Sequence, residues 1–179
     1  MNMSVPVIYT IGHSTRTLEE FIQILQAYGV TRLVDVRTLP GSRHNPQFNL
    51  ETLPAALQTA GIAYSHLPGL GGLRRPRPDS PNAAWKNDSF RGFADYMQTS
   101  DFDLHLRELL RLAAGSETLA LMCAEAVPWR CHRSLIGDAL QARGQTVVDI
   151  LDLKHSQPHR LTPFAVVDGE RVTYPKTDV

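Results

Sequence analysis

The stretch Leu119-Ala-Leu-Met-Cys-Ala-Glu-Ala-Val-Pro-Trp-Arg-Cys-His-Arg-Ser134 decides how this chain reads. Residues Glu117 to Met122 are mostly apolar and predict a buried strand that ends on Cys123. A short turn with Glu125 and Pro128 follows. From 131 to 143 the residues Leu135, Ile136, Ala139 and Leu140 recur at helical spacing, and Gly144 stops the run. Strand, tight turn and helix together make the repeating unit of a parallel α/β sheet. Both cysteines of the protein sit at this one junction. A helix start gathers N–H groups and the positive end of the dipole, which lower a thiol pKa and attract anions.

The same rhythm continues on both sides. Val5-Pro-Val-Ile-Tyr-Thr-Ile11 holds a first strand from Val7 that runs into Gly12-His13-Ser14. Thr17-Leu-Glu-Glu20 fits a capping box before Leu18, Phe21, Ile22 and Leu25, with Gly29 as the stop. Thr31 to Val36 predicts a second strand and leads into Asp35-Val-Arg37. A helix is expected from Asn49, with Leu50, Leu53 and Leu57 inward and Gly61 at its end, then a strand from Ile62 to Leu67. Phe90 to Met97 and Asp101 to Ala114 predict helices, and Thr146 to Leu151 a last parallel strand. Asp168-Gly169 between β-rich flanks marks a hairpin over Ala165 to Tyr174. Residues 68–89 lack periodicity and read as a long loop, functional or disordered. The expected architecture is a single three-layer α/β domain over 1–179, with a core at 7–151. About five mainly parallel strands and a hairpin-bearing extension at 152–179 complete it.

Composition narrows the function. Net charge is zero, which argues against a protein that coats polyanions generally. Charge is uneven, however: from Arg37 to Arg91 six arginines and Lys86 face Glu51, Asp79 and Asp88. No apolar run approaches the roughly 20 residues of a membrane span, and no leader is evident, so a cytoplasmic protein is expected. Two cysteines in a reducing compartment are more often free thiols, ligands or catalysts than a structural bridge.

Several motifs carry a family resemblance. They are Tyr9-Thr-Ile-Gly-His-Ser14, Asp35-Val-Arg37, Pro46-x-Phe48, Leu70-Gly-Gly72, Phe90-Arg-Gly-Phe93, Tyr96-Met97 and Cys123-x-Glu-x5-Cys-His-Arg133. In that order they make the chain, over residues 7–151, similar to the DUF488 family, a family of unknown function. The resemblance implies an α/β fold and a shared site and brings no activity with it.

Ligands collect outside the carboxyl ends of the strands in such a sheet. Gly12 to Ser14, Asp35 to Arg37, His66 to Gly72 and Cys123 to Arg133 all follow predicted strands, so they should share one rim. Cys131, at a helix start flanked by Arg130, His132 and Arg133, is the favoured nucleophile. Cys123 is the second candidate nucleophile, although core filler, with apolar packing raising its pKa, is the blander expectation. Glu125 is either a proton carrier or the partner of Arg133. His13 is a base, a phosphate donor or a turn histidine. Asp35 and Arg37 orient a ligand or pair with each other. Ser14, Arg37, Arg43, Arg91, His132 and Arg133 are candidates for holding an anion. The loop arginines Arg74, Arg75 and Arg77 are either clamps or merely solvated. Gly69-x-Gly71-Gly72 could cradle phosphate, although the Lys-Ser/Thr ending of a P-loop is missing. Cys123 to Arg130 is one residue longer than the Cys-x5-Arg loop of tyrosine phosphatases.

These residues point to a cysteine-dependent hydrolase or transferase for a small anionic ligand, phosphate-bearing or nucleotide-like. No cofactor and no resident metal are called for. One alternative is a nucleic-acid module that stacks bases on Phe48, Trp85 and Phe90. Another is a thiol redox pair, Cys131 attacking and Cys123 resolving, although a core-facing Cys123 is the blander expectation. The last is a zinc site built from Cys123, Glu125, Cys131 and His132. His155 and His159 lie in a polar, Pro-containing stretch and read as surface residues.

Overall fold

The computed structural model describes residues 6–177. Val5, which opens the first β-rich run, lies outside them. Strand β1 (Val7–Gly12) is followed by helix α1 (Leu18–Ala27), β2 (Arg32–Asp35), α2 (Leu53–Thr59) and β3 (Ala63–His66). After the long loop come α3 (Asp88–Tyr96), α4 (Ser100–Ala113), β4 (Leu119–Cys123), α5 (Arg133–Ala142) and β5 (Thr146–Ile150). The chain then forms β6 (Ser156–Pro158), β7 (Val166–Asp168) and β8 (Arg171–Thr173).

The main sheet has six strands in the order β3-β2-β4-β1-β5-β6. The first five are mutually parallel, and β6 pairs antiparallel with β5. The expected hairpin is β7–β8, a separate two-stranded sheet. Strand β6 was not expected, because Gln157 and Pro158 carry no apolar alternation. It is an edge strand, where a proline leaves no central ladder position unfilled.

Strand residues alternate between two cores, which gives three layers. Ile8, Val34, Leu121 and Cys123 face Phe93, Phe102, Leu106 and Leu135, so α3, α4 and α5 cover that side. Ile11, Leu33, Ala120 and Met122 face Phe21, Leu25, Leu53 and Leu57, so α1 and α2 cover the other. Thr17 caps α1 by accepting from the Glu20 N–H at 3.1 Å, as the capping box predicts. Gly29, Gly61 and Gly144, the expected helix stops, all have positive φ.

One boundary is corrected. The second helix starts at Leu53, with Pro54 in its first turn, and Leu50 is exposed rather than inward. Asn49 is committed elsewhere: its side chain accepts from the Ser42 N–H at 2.7 Å and shapes the preceding loop. Among the described residues, no helix is long and apolar enough to cross a membrane.

Candidate functional site

A cleft of about 650 Å³ opens outside the carboxyl ends of β1, β2 and β4. His13, Arg37, Gly72, Cys123 and Cys131 all line it, so the four segments expected on one rim do meet. Parallel pairing brings them together, because Gly12 is opposite Cys123 and Asp35 is opposite Met122. The rim is closely fitted at Gly12, where a Cβ would fall 1.5 Å from the Glu125 carbonyl oxygen.

The two thiols lie side by side, both free and both buried. The order of acidity expected for them is reversed. Burial works against ionising Cys123, yet the Cys131 thiol and the Arg133 guanidinium outweigh it and bring its pKa down to about 7. Arg133 Nε donates to Cys123 Sγ at 3.1 Å. Cys131 is instead pushed up by the Cys123 thiolate and by burial. Its thiol proton serves the Cys123 sulfur, its Sγ lies 3.3 Å from His132 Nδ1, and His132 Nε2–H donates to the Val36 carbonyl at 3.0 Å. Burial lowers His132 to about 4, so its ring is neutral. The position at a helix start misled here: Arg133 reaches back along its side chain to Cys123 and gives Cys131 only a backbone N–H, at 3.5 Å.

Arg133 is therefore no ligand anchor. It is fully buried behind the cleft, where Nη1 donates to Thr10 Oγ1 at 2.7 Å and Nη2 to the Glu125 carbonyl at 3.1 Å. The Glu125 carboxylate does not pair with it, and that exposed side chain stands at the cleft wall. Among the described residues none accepts a hydrogen bond from the N–H of Ala124 or Ala126, the Glu125 backbone helps to lower the Cys123 pKa, and all three residues line the cleft. Free amides next to a thiolate are a place for a developing oxyanion or a bound anion.

On the β2 side Asp35 and Arg37 form a buried ion pair at 2.8 Å. Arg37 Nε and Nη2 donate to Asp35, Nη2 also to the Phe48 carbonyl, and Nη1 to His13 Nε2 at 3.3 Å. A guanidinium has five N–H donors, so one remains for the cleft. Tyr64 donates to Asp35 at 2.5 Å, and burial together with that carboxylate raises its pKa out of reach. His13 stacks on Phe48 and donates Nδ1–H to the Ser14 carbonyl at 2.8 Å. Burial lowers its pKa, so His13 is a neutral residue that fixes Arg37 rather than a free base. Ser14 lines the cleft with φ of 51°, the one non-glycine residue with positive φ among those described.

Other candidates stand apart. Arg43 is exposed on the loop whose Ser42 and Asn45 line the cleft. Arg91 is on α3, paired with Asp88 at 2.6 Å and away from the cleft. Gly71 is buried against Thr38, and a Cβ on Gly72 would come within 2.6 Å of the His132 ring. These glycines permit close packing against Thr38 and His132. Arg74 is no clamp: it stacks 3.7 Å over the Tyr96 ring and donates to the Gly71 carbonyl. Arg77 pairs with Asp79 at the surface, and Arg75 is exposed. Phe48 is buried, and Trp85 packs against Phe90, Phe164 and Tyr174, so these aromatics form no open stacking platform. Among the described residues no three His, Cys, Asp or Glu side chains are grouped to hold a metal ion.

His155 is exposed as expected, but the surface reading of His159 is wrong. Its ring is buried between Asp138 and Asp149 at 2.9 Å each. Pro158 ends edge strand β6, which turns His159 inward. The polar flanks gave no sign of this.

No curated protein and no solved structure matches this chain. A family model, domain of unknown function DUF488, matches residues 17–140, which hold Asp35, Arg37, Gly72 and the whole Cys123 to Arg133 turn. That is well over half of the sequence: the chain belongs to the DUF488 family.

Proposed function

We propose that this protein is a cysteine-dependent hydrolase or transferase for a small anionic ligand, with Cys123 as nucleophile. The observation that carries it is the Arg133 Nε–H held 3.1 Å from a cysteine that lines an open cleft beside the free amides of Ala124 and Ala126. A thiolate, not a thiol, attacks electrophiles, and a buried guanidinium keeps that form available near neutral pH. The N–H groups of Ala124 and Ala126, the spare donor of Arg37 and the exposed Arg130 would hold the anion.

In this reading Cys123 Sγ attacks the electrophilic centre of the ligand. A bond from sulfur forms as the bond to the leaving oxygen breaks, and that oxygen takes a proton from the Glu125 carboxyl. Water then attacks the same centre, gives its proton to the Glu125 carboxylate, and the thiolate departs with its electron pair. An acceptor hydroxyl in place of water makes the reaction a transfer.

Two measurements test this. Iodoacetamide followed by peptide mass spectrometry should label Cys123 first, with a half-maximal rate near pH 7. Phosphate, sulfate or phenyl phosphate should raise the melting temperature and slow that labelling. Both thiols titrating above about 9, with no thermal shift from any of the three anions, would remove the basis for the reading.

The paired thiols also support a second reading, a peroxide-reducing redox couple. Cys123 thiolate would attack a peroxide oxygen and become a sulfenic acid as water or alcohol leaves. Cys131 would then displace hydroxide, which leaves as water once protonated, and a disulfide results. Mild peroxide should produce a loss of about two daltons that dithiothreitol reverses and Cys131→Ser abolishes. Stepwise oxygen adducts on Cys123 alone would count against it.

A further inference from the structure

A chain of buried polar groups runs from Cys123 away from the cleft and into the C-terminal part of the protein. Arg133 holds the sulfur with Nε and donates to Thr10 Oγ1 with Nη1. Thr10 in turn donates its hydroxyl to Asp149 Oδ1 on β5. Asp149 Oδ2 accepts from His159 Nδ1, and Asp138 Oδ1 on α5 accepts from His159 Nε2. Asp138 Oδ2 accepts from the Tyr174 hydroxyl at 2.7 Å. Every one of these side chains is buried. Asp149, His159 and Tyr174 all follow residue 140, where the family match ends.

The geometry fixes the protonation of the histidine. Each ring nitrogen faces a carboxylate oxygen at 2.9 Å, and a neutral imidazole has only one N–H to give. Two good hydrogen bonds require the imidazolium. Two carboxylates, Asp138 and Asp149, then balance two cations, Arg133 and His159. Tyr174, donating to Asp138, is uncharged. On the other side of the sulfur, Cys131 keeps its proton and His132 is neutral.

We infer that His159 is a positioning residue for the cysteine site: as an imidazolium it completes, with Arg133, the balance of Asp138 and Asp149, so that ionising Cys123 adds a single negative charge to a neutral cluster. Without it, Asp149 would draw on Arg133 through Thr10, and ionising Cys123 would add a second uncompensated negative charge to a buried cluster. This rests on Cys123 being the reactive thiol.

The test is the pH dependence of Cys123 alkylation by iodoacetamide in the intact protein. In the wild type the rate should be half-maximal near pH 7. His159→Gln should raise that midpoint by about one unit and slow labelling at pH 7 about fivefold, with the rate at pH 10 unchanged. Adding Asp149→Asn to His159→Gln should bring the midpoint back, because it removes the uncompensated carboxylate. A histidine with only a packing role would give a faster, pH-independent increase from loosened structure, and the double variant would be worse than either single one. An unmoved midpoint in His159→Gln, or no recovery in the double variant, would overturn the inference. If His159→Gln does not fold, nitrogen NMR of the wild-type ring at pH 7 decides instead: both nitrogens protonated is required, and a neutral ring refutes the role. A wild-type midpoint above 9 would refute the reading of Cys123 itself, a separate outcome.

Discussion

Two buried ionic clusters flank the cleft, and they are built on different plans. On the β2 side Asp35 and Arg37 are two residues apart and close on each other, with Tyr64, His13 and the Phe48 carbonyl as further partners and one Arg37 N–H left over. On the β5 side Arg133, Thr10, Asp149, His159, Asp138 and Tyr174 come from β1, α5, β5 and the segments after β6 and β8. The first cluster is local and ends at the cleft wall. The second ties distant parts of the chain to one sulfur. Burying charge stabilises little by itself, since desolvation offsets the attraction. The clusters therefore matter for what they fix: the first holds an N–H donor at the rim, the second holds the ionisation state behind it.

The largest effect should come from breaking either cluster. Asp35→Ala leaves Arg37 without its carboxylate, and Asp138→Ala removes the acceptor of His159, Tyr174 and the Thr162 N–H. Each should cost about 3–5 kcal/mol in urea unfolding. Only changes on the β5 side should alter thiol chemistry. If Asp35→Ala also moves the alkylation profile of Cys123, the contrast drawn here does not hold.

Next in size is the pH dependence of stability. Burial alone would lower His159, but Asp138 and Asp149 outweigh it and raise its pKa to about 9. A raised histidine contributes stability that is full below about 6.5 and is lost as pH climbs through about 9. His132, lowered by burial to about 4, acts on the other limb. There the unfolded chain takes up a proton near 6.5 that the folded chain refuses, so stability falls as pH drops toward 4. His13 adds to the same acid limb. Stability should peak near pH 6.5, with an alkaline limb of roughly 2–3 kcal/mol. Urea midpoints in a Cys123→Ser, Cys131→Ser background, free of thiol titration, measure it. His159→Gln should flatten the alkaline limb and leave the acid limb standing.

A smaller effect joins the two sides. The Glu125 carbonyl that crowds Gly12 is also the acceptor of Arg133 Nη2. Gly12→Ala must push the turn away, at about 1–3 kcal/mol, and should weaken anion binding and thiol ionisation together. Loss of stability with both unchanged would mean that the turn does not connect them.

Much of this was legible in the residues. The alternation of strand and helix, with Gly29, Gly61 and Gly144 at three helix ends, was enough to place β1 to β5, and parallel strands bring their ends together whatever their order. The Asp35–Arg37 pair could be anticipated because its members are nearly adjacent. The reversal of the two cysteines could not. Which thiol ionises depends on where the Arg133 side chain reaches, and residue spacing suggested its neighbour Cys131. His159 was hidden for the same reason: its two carboxylates lie 10 and 21 residues earlier, and its flanks are polar. Leu50 shows the limit of periodicity, since an apolar residue at the right interval still falls outside a helix when Asn49 is used to build the loop.

Ser14 gives the cleft one further property. A residue held at φ of 51° bears a backbone cost that glycine would not, and its side chain lines the cleft. Ser14→Gly should thus raise the unfolding free energy by up to about 1 kcal/mol, read from urea midpoints, while weakening whatever the hydroxyl contacts. A gain in robustness bought with a loss of ligand would mark this position as a trade-off between durability and performance.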